Sequence, residues 1–78
     1  MAETITLKYD DEEVKHEVLP DGSTFNYQGY KYHVVKSFYD EGTNEYIYVT
    51  RYYGKHKQWW HYEIWDAIRY DYLIRKIR

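Results

Sequence analysis

Apolar and polar residues alternate with a period of two along most of this chain, and that alternation leaves little room for anything but a mainly β fold. Thr4 to Tyr9 sets Ile5, Leu7 and Tyr9 against Thr4, Thr6 and Lys8. The acidic run Asp10, Asp11, Glu12, Glu13 reads as a solvated turn. Val14 to Leu19 resumes the alternation with Val14, His16 and Val18 on one side, so the first two segments predict a hairpin. Pro20, Asp21, Gly22 and Ser23 form a turn: Pro presets φ, Asp bonds its own backbone, and Gly supplies positive φ. Phe25 and Tyr27 start a short strand, with Gly29 as a bulge or bend.

Tyr30 to Tyr39 is the next long strand, with Tyr32, Val34 and Phe38 on one face and Lys36 interrupting it. A Gly-containing loop, residues 40–44, leads to Glu45 to Tyr53, which completes a central hairpin. Gly54 to Gln58 is a basic turn, and Trp59 to Trp65 alternates again with Trp60, Tyr62 and Ile64 on one side. Residues 66–78 admit two readings. Asp66 would cap a C-terminal helix whose negative end suits Arg75, Lys76 and Arg78. Against this, Ile68, Tyr70, Tyr72 and Ile74 alternate cleanly with Arg69, Asp71 and Leu73, which favours a strand, although no Gly or Pro separates it from the segment before. The expected architecture is one β-rich domain over residues 1–78. It is a small antiparallel barrel-like or strongly bent sheet of five to seven strands, the alternative being an α+β meander with a C-terminal helix.

Ring content is the second constraint. The 78 residues include 12 Tyr, 3 Trp and 2 Phe. The mean hydropathy of −0.94 hides this, because Tyr scores as polar while carrying a large apolar body. A chain this short hides only about 60% of its unfolded surface. Seventeen rings therefore exceed its interior, and the surplus is expected at the surface, where clustered aromatics mark contact sites. The competing reading is structural: cross-strand Tyr pairs also stabilise a solvated sheet face without any partner.

Charge divides along the chain. Residues 1–45 hold four basic and ten acidic groups, a net of −6, and residues 46–78 hold seven basic and three acidic groups, a net of +4. Such asymmetry suits either an anionic partner or mutual attraction of the two halves. With no cysteine there is neither a disulfide partner nor a thiolate metal site, which fits a cytoplasmic setting. No targeting segment or membrane span is expected.

The segment Arg51 to Tyr62 interleaves cations with rings around a turn. Arg51, Tyr53, Lys55, Lys57, Trp59 and Tyr62 are its candidate binding residues. Trp, Tyr and Arg dominate protein interfaces, and cations with stacking rings also hold single-stranded nucleic acid. The leading expectation is a non-enzymatic domain that binds a protein partner or itself. The composition is compatible with a compact inhibitor of the kind that phages and mobile elements encode. Single-stranded nucleic-acid binding is the first alternative, and sugar stacking ranks below both. A small metal-independent ribonuclease, using His56 or His61, is the last. No catalytic residue, metal site or cofactor is implied: His61 and Glu63 lie two apart with no third ligand identifiable, and no Gly-rich phosphate loop or nucleophile elbow occurs.

Overall fold

The computed structural model describes residues 3–9, 11–55 and 58–75, with the backbone but not the side chain of Tyr9. The described residues form six antiparallel strands, within the five to seven that the alternation predicts. Strands β1 (Thr4–Tyr9) and β2 (Glu12–Glu17) form the expected hairpin. Strands β3 (Thr24–Tyr27), β4 (Tyr30–Asp40), β5 (Glu45–Tyr53) and β6 (Trp60–Asp66) form a meander in the order β3-β4-β5-β6. The arrangement is two sheets and not a closed barrel, since β3 and β6 remain the edges of the meander.

Turn chemistry sets the registers. Gln28 and Gly29 have φ of 51° and 84° and join Tyr27 to Tyr30, which pair directly. Two consecutive left-handed residues make a tight hairpin turn that follows the strand twist, so Gly29 is a turn residue rather than a bulge or bend. The Pro20–Ser23 turn forms as expected, with the Ser23 N–H donating to the Pro20 carbonyl at 3.1 Å. Asp21, however, reaches across the sheet instead of bonding its own turn. Its carboxylate accepts from the Ser37 N–H at 3.0 Å and from the Ser37 hydroxyl at 3.2 Å.

That contact lies beside an irregularity in β4. Val34 pairs with Thr50 and Lys36 with Val49, so Val35 is the extra residue of a bulge. One extra residue inverts the facing of everything after it. Tyr32 and Val34 point to the core, but Phe38 turns to the opposite, solvent-facing side. The single face expected for Tyr32, Val34 and Phe38 is therefore split by the bulge.

The C-terminal segment is helical and not a strand. Helix α1 (Ala67–Tyr70) continues directly into a π-helical segment, Asp71–Arg75. Asp66 caps it, its carboxylate accepting from the Arg69 N–H at 2.6 Å. Ala67, Tyr70 and Asp71 are buried and Ile74 is half-buried, which is helical spacing. Residue 71 is an acid, so the stripe does not show as an apolar pattern.

The hairpin β1–β2 and α1 share a core with one face of the meander. Trp65 and Tyr48 are fully buried there. Phe25 stacks on Tyr32 at 5.2 Å, while Trp65 meets the edges or faces of Phe25, Tyr27 and Tyr32 at 5.0, 5.2 and 5.5 Å. Offset and edge-on contacts of this kind add to simple area burial. Arg69 holds α1 against β6, with its guanidinium 4.0 Å over the Trp65 ring and 3.1 Å from Glu63. Among the described residues no helix is long and apolar enough to cross a membrane.

Candidate interaction face

Alternation in β4, β5 and β6 gives the meander a second face, opposite the core. Its make-up follows from the register. Tyr53 pairs with Trp60, and Arg51 lies between His33 and Tyr62. Val49 lies between Lys36 and Ile64, and Ile47 between Phe38 and Asp66. Asp40 and Glu45 pair at the far end. Five large side chains here are well exposed: Phe38 at 40%, Tyr53 at 50%, Trp60 at 42%, Tyr62 at 64% and Ile64 at 57%. Nine rings enter or flank the core, and seven of the described ones are exposed. The surplus of rings over interior is therefore real, and four of the seven (Phe38, Tyr53, Trp60, Tyr62) share this one face.

Trp60 organises the basic end. The Arg51 guanidinium sits 4.5 Å over its ring, His33 approaches edge-on at 5.6 Å and Tyr53 at 5.5 Å. Arg51 is half-buried by these neighbours, and its Nε has no hydrogen-bond partner among the described residues. The Tyr53 hydroxyl donates to the Gln58 carbonyl at 2.6 Å, which ties the end of β5 to the turn.

The expected site residues divide accordingly. Arg51, Tyr53 and Tyr62 lie on the outer face. Trp59 is 62% exposed just before β6 begins. Lys55 leaves the face, its ammonium lying 5.5 Å from the Tyr30 ring centre at the end of the sheet. Lys57 and His56 lie outside the described residues. Sequence reasoning omitted Trp60 and Ile64, although their alternation with Tyr62 was readable. It also omitted Phe38, which only the bulge brings round.

A second polar cluster is internal. His16 is fully buried, with Nε2 2.7 Å from the Tyr48 hydroxyl and Nδ1 4.0 Å from Asp71 Oδ1. The Tyr48 oxygen also accepts from the Leu19 N–H at 3.2 Å. With the Asp71 carboxylate facing Nδ1, the imidazole proton is favoured there, and in that tautomer the Tyr48 hydroxyl donates to His16 Nε2. Burial lowers the His16 pKa from its ordinary 6.5, against the pull of Asp71, and pushes the Tyr48 hydroxyl up to about 12. Side chains of this type perform acid–base work in open sites, but this set has no exposed atom on His16 to offer a substrate. His61, which the ribonuclease reading named together with His56, stacks on Tyr52 at 5.3 Å. Glu63, two residues on, is engaged by Arg69, and among the described residues no three metal-ligating side chains converge. A cavity of about 110 Å³ between β1, β5 and α1, lined by Ile5, Leu7, Tyr46 and Ile68, is smaller than small-molecule sites of roughly 300 Å³ upward.

No protein-family model matches the chain, and neither a curated protein nor a solved structure does.

Proposed function

We propose that the chain is a non-enzymatic interaction domain that binds protein through the outer face of its meander. The observation that carries this reading is the contiguous exposure of Phe38, Ile64, Tyr62, Trp60 and Tyr53 on three adjacent strands. Scattered surface apolars need no explanation, but a contiguous patch marks a contact site. Rigid rings and an arginine held against one of them are the groups that anchor protein interfaces. A cytoplasmic setting is part of the same proposal and rests on the cysteine-free composition.

The distribution of charge favours protein over single-stranded nucleic acid. A strand-tracking groove needs cations along its length to follow the phosphates. Here Lys31, His33 and Arg51 gather at one end, while Asp40, Glu45 and Asp66 occupy the other and would repel a polyanion.

Peptide-display selection against the immobilised domain tests the reading. Enriched peptides should lose binding to a Tyr62→Glu, Ile64→Glu double variant whose circular dichroism is unchanged. No enrichment, or binding indifferent to both substitutions, overturns it. So does salt-sensitive binding of a labelled oligothymidylate that those substitutions abolish, because the face would then belong to nucleic acid.

A further inference from the structure

We infer that the occupant of the outer face is the same face of a second copy of this chain. The two copies are related by a two-fold axis that lies in the interface and runs across the strands. The inference rests on the interaction reading above and adds the partner and its orientation.

Three features of the face support it. The first is polarity along the strands. One end carries Asp40 directly opposite Glu45, an arrangement that repels within a single sheet. Asp40 spends its carboxylate on the turn, accepting from the Gly42 N–H at 3.0 Å and the Thr43 hydroxyl at 3.2 Å. No cation pairs with Glu45 among the described residues. The other end carries Lys31, His33 and Arg51, of which neither Lys31 nor Arg51 pairs with a carboxylate among the described residues. Between the ends lie Phe38, Ile47, Val49 and Ile64, with Lys36 beside Val49 on the basic side of the middle and Asp66 beside Ile47 on the acidic side. The face is thus basic, apolar and acidic in turn, which makes it complementary to itself when reversed.

Reversal selects the symmetry. A two-fold axis parallel to the strands would lay basic end on basic end. An axis across the strands exchanges the ends and keeps β4 over β4 and β5 over β5. Placed between the levels of Ile47 and Val49, it sets Arg51 over Glu45 of the second copy and His33 over its Asp40. Val49 then meets the second copy's Ile47, and Lys36 lays its stem on Phe38 instead of meeting another Lys36. An isologous contact of this kind closes on itself, with Tyr53 and Trp60 lying beyond its edge.

The third feature is size. With strands about 4.8 Å apart and a rise of about 3.4 Å per residue, seven levels of β4 and β5 and three of β6 overlap, projecting roughly 300 Å² per copy. Two copies bury roughly 600 Å², below the size of stable interfaces and in the range of weak, transient contacts. The dimer is therefore weak and dissociates on dilution. The two sheets pack about 10 Å apart and about 30° from aligned.

Sedimentation of the full chain from about 1 µM to about 1 mM tests the occupant, that being the range a weak contact spans. Weight-average mass should climb from the 9.8 kDa monomer toward twice that value. Arg51→Glu and Glu45→Arg should each weaken association at least about tenfold, because each sets two like-charged pairs across the two-fold axis, and the chain carrying both should recover most of it. Those residues lie six apart on β5, about 20 Å, so recovery cannot arise inside one monomer. A second readout survives any misfolding of Arg51→Glu. The chain lacks cysteine, so Ile47→Cys and Val49→Cys chains can be mixed and oxidised. They should cross-link to each other faster than either does to itself.

A monomer throughout the range overturns the assignment, while the peptide selection still decides whether the face binds protein at all. A double variant no better than the singles, or cross-linking without preference for the mixed pair, overturns the orientation and with it the inference.

Discussion

Tyr48 and His16 show what single side chains must settle when a small core contains polar atoms. The Tyr48 hydroxyl satisfies both the Leu19 N–H and His16 Nε2 from a fully buried position. Tyr48→Phe removes one oxygen and strands two groups, so it should cost about 1–3 kcal/mol in urea unfolding, well above the loss of an exposed hydroxyl such as that of Tyr62. The pair also fixes the pH range of the fold. With its pKa lowered by burial, His16 is neutral in the folded chain, while the unfolded chain takes up a proton as pH falls through 6.5. Its contribution is therefore present above about pH 6.5 and is lost progressively below it. Tyr48 acts at the other end: its pKa, raised from 10.0 to about 12, makes stability fall as pH climbs through that window. Unfolding free energies measured from pH 7.5 down to 5 should decline, and His16→Gln should flatten the decline. An unchanged slope would place the titrating group elsewhere.

At the scale of the element, α1 depends on one cap and β4 on one extra residue. Asp66→Ala should cost about 1 kcal/mol and raise hydrogen exchange first at the Arg69 amide, whose partner it removes. Deleting Val35 should leave the faces as they are, because Val34 and Lys36 already stand on opposite sides as consecutive ladder positions. A preserved nuclear Overhauser contact between Phe38 and Ile47 would show this, and its loss would show that the bulge does more than absorb a residue. These two elements also mark where sequence reading stops. Hairpins were legible because turn residues and period-two alternation act locally. The bulge was not, because the extra Val35 in Val34-Val35-Lys36 leaves no composition signal, and the contact beside it, Asp21 to Ser37, comes from another turn. The helix reads as a strand in the sequence because its inward stripe of Ala67, Tyr70, Asp71 and Ile74 includes an acid, which faces His16. The outer face was half legible for the same reason: Arg51, Tyr53 and Tyr62 follow from β5 and β6, whereas Phe38 awaits the bulge.

The molecule as a whole divides its rings between an interior that is full and a sheet face that is not. If that face meets its own copy, folding and association are linked, because the dimer holds only folded chains. The melting temperature should then rise with protein concentration, by about 4 °C or more for each kcal/mol gained. The same scan of the Arg51→Glu variant should show a melting temperature independent of concentration. A wild-type melting temperature that does not move would dissociate the two processes.

The division of the three tryptophans has a practical consequence. Trp65 is sealed in the core while Trp59 and Trp60 stand in water. Their emission spectra therefore differ in colour: Trp65 emits to the blue and shifts only when the chain unfolds, and Trp60 emits to the red and shifts when something covers its strand. The native chain carries separate optical signals for unfolding and for docking, and no label has to be added to read either one.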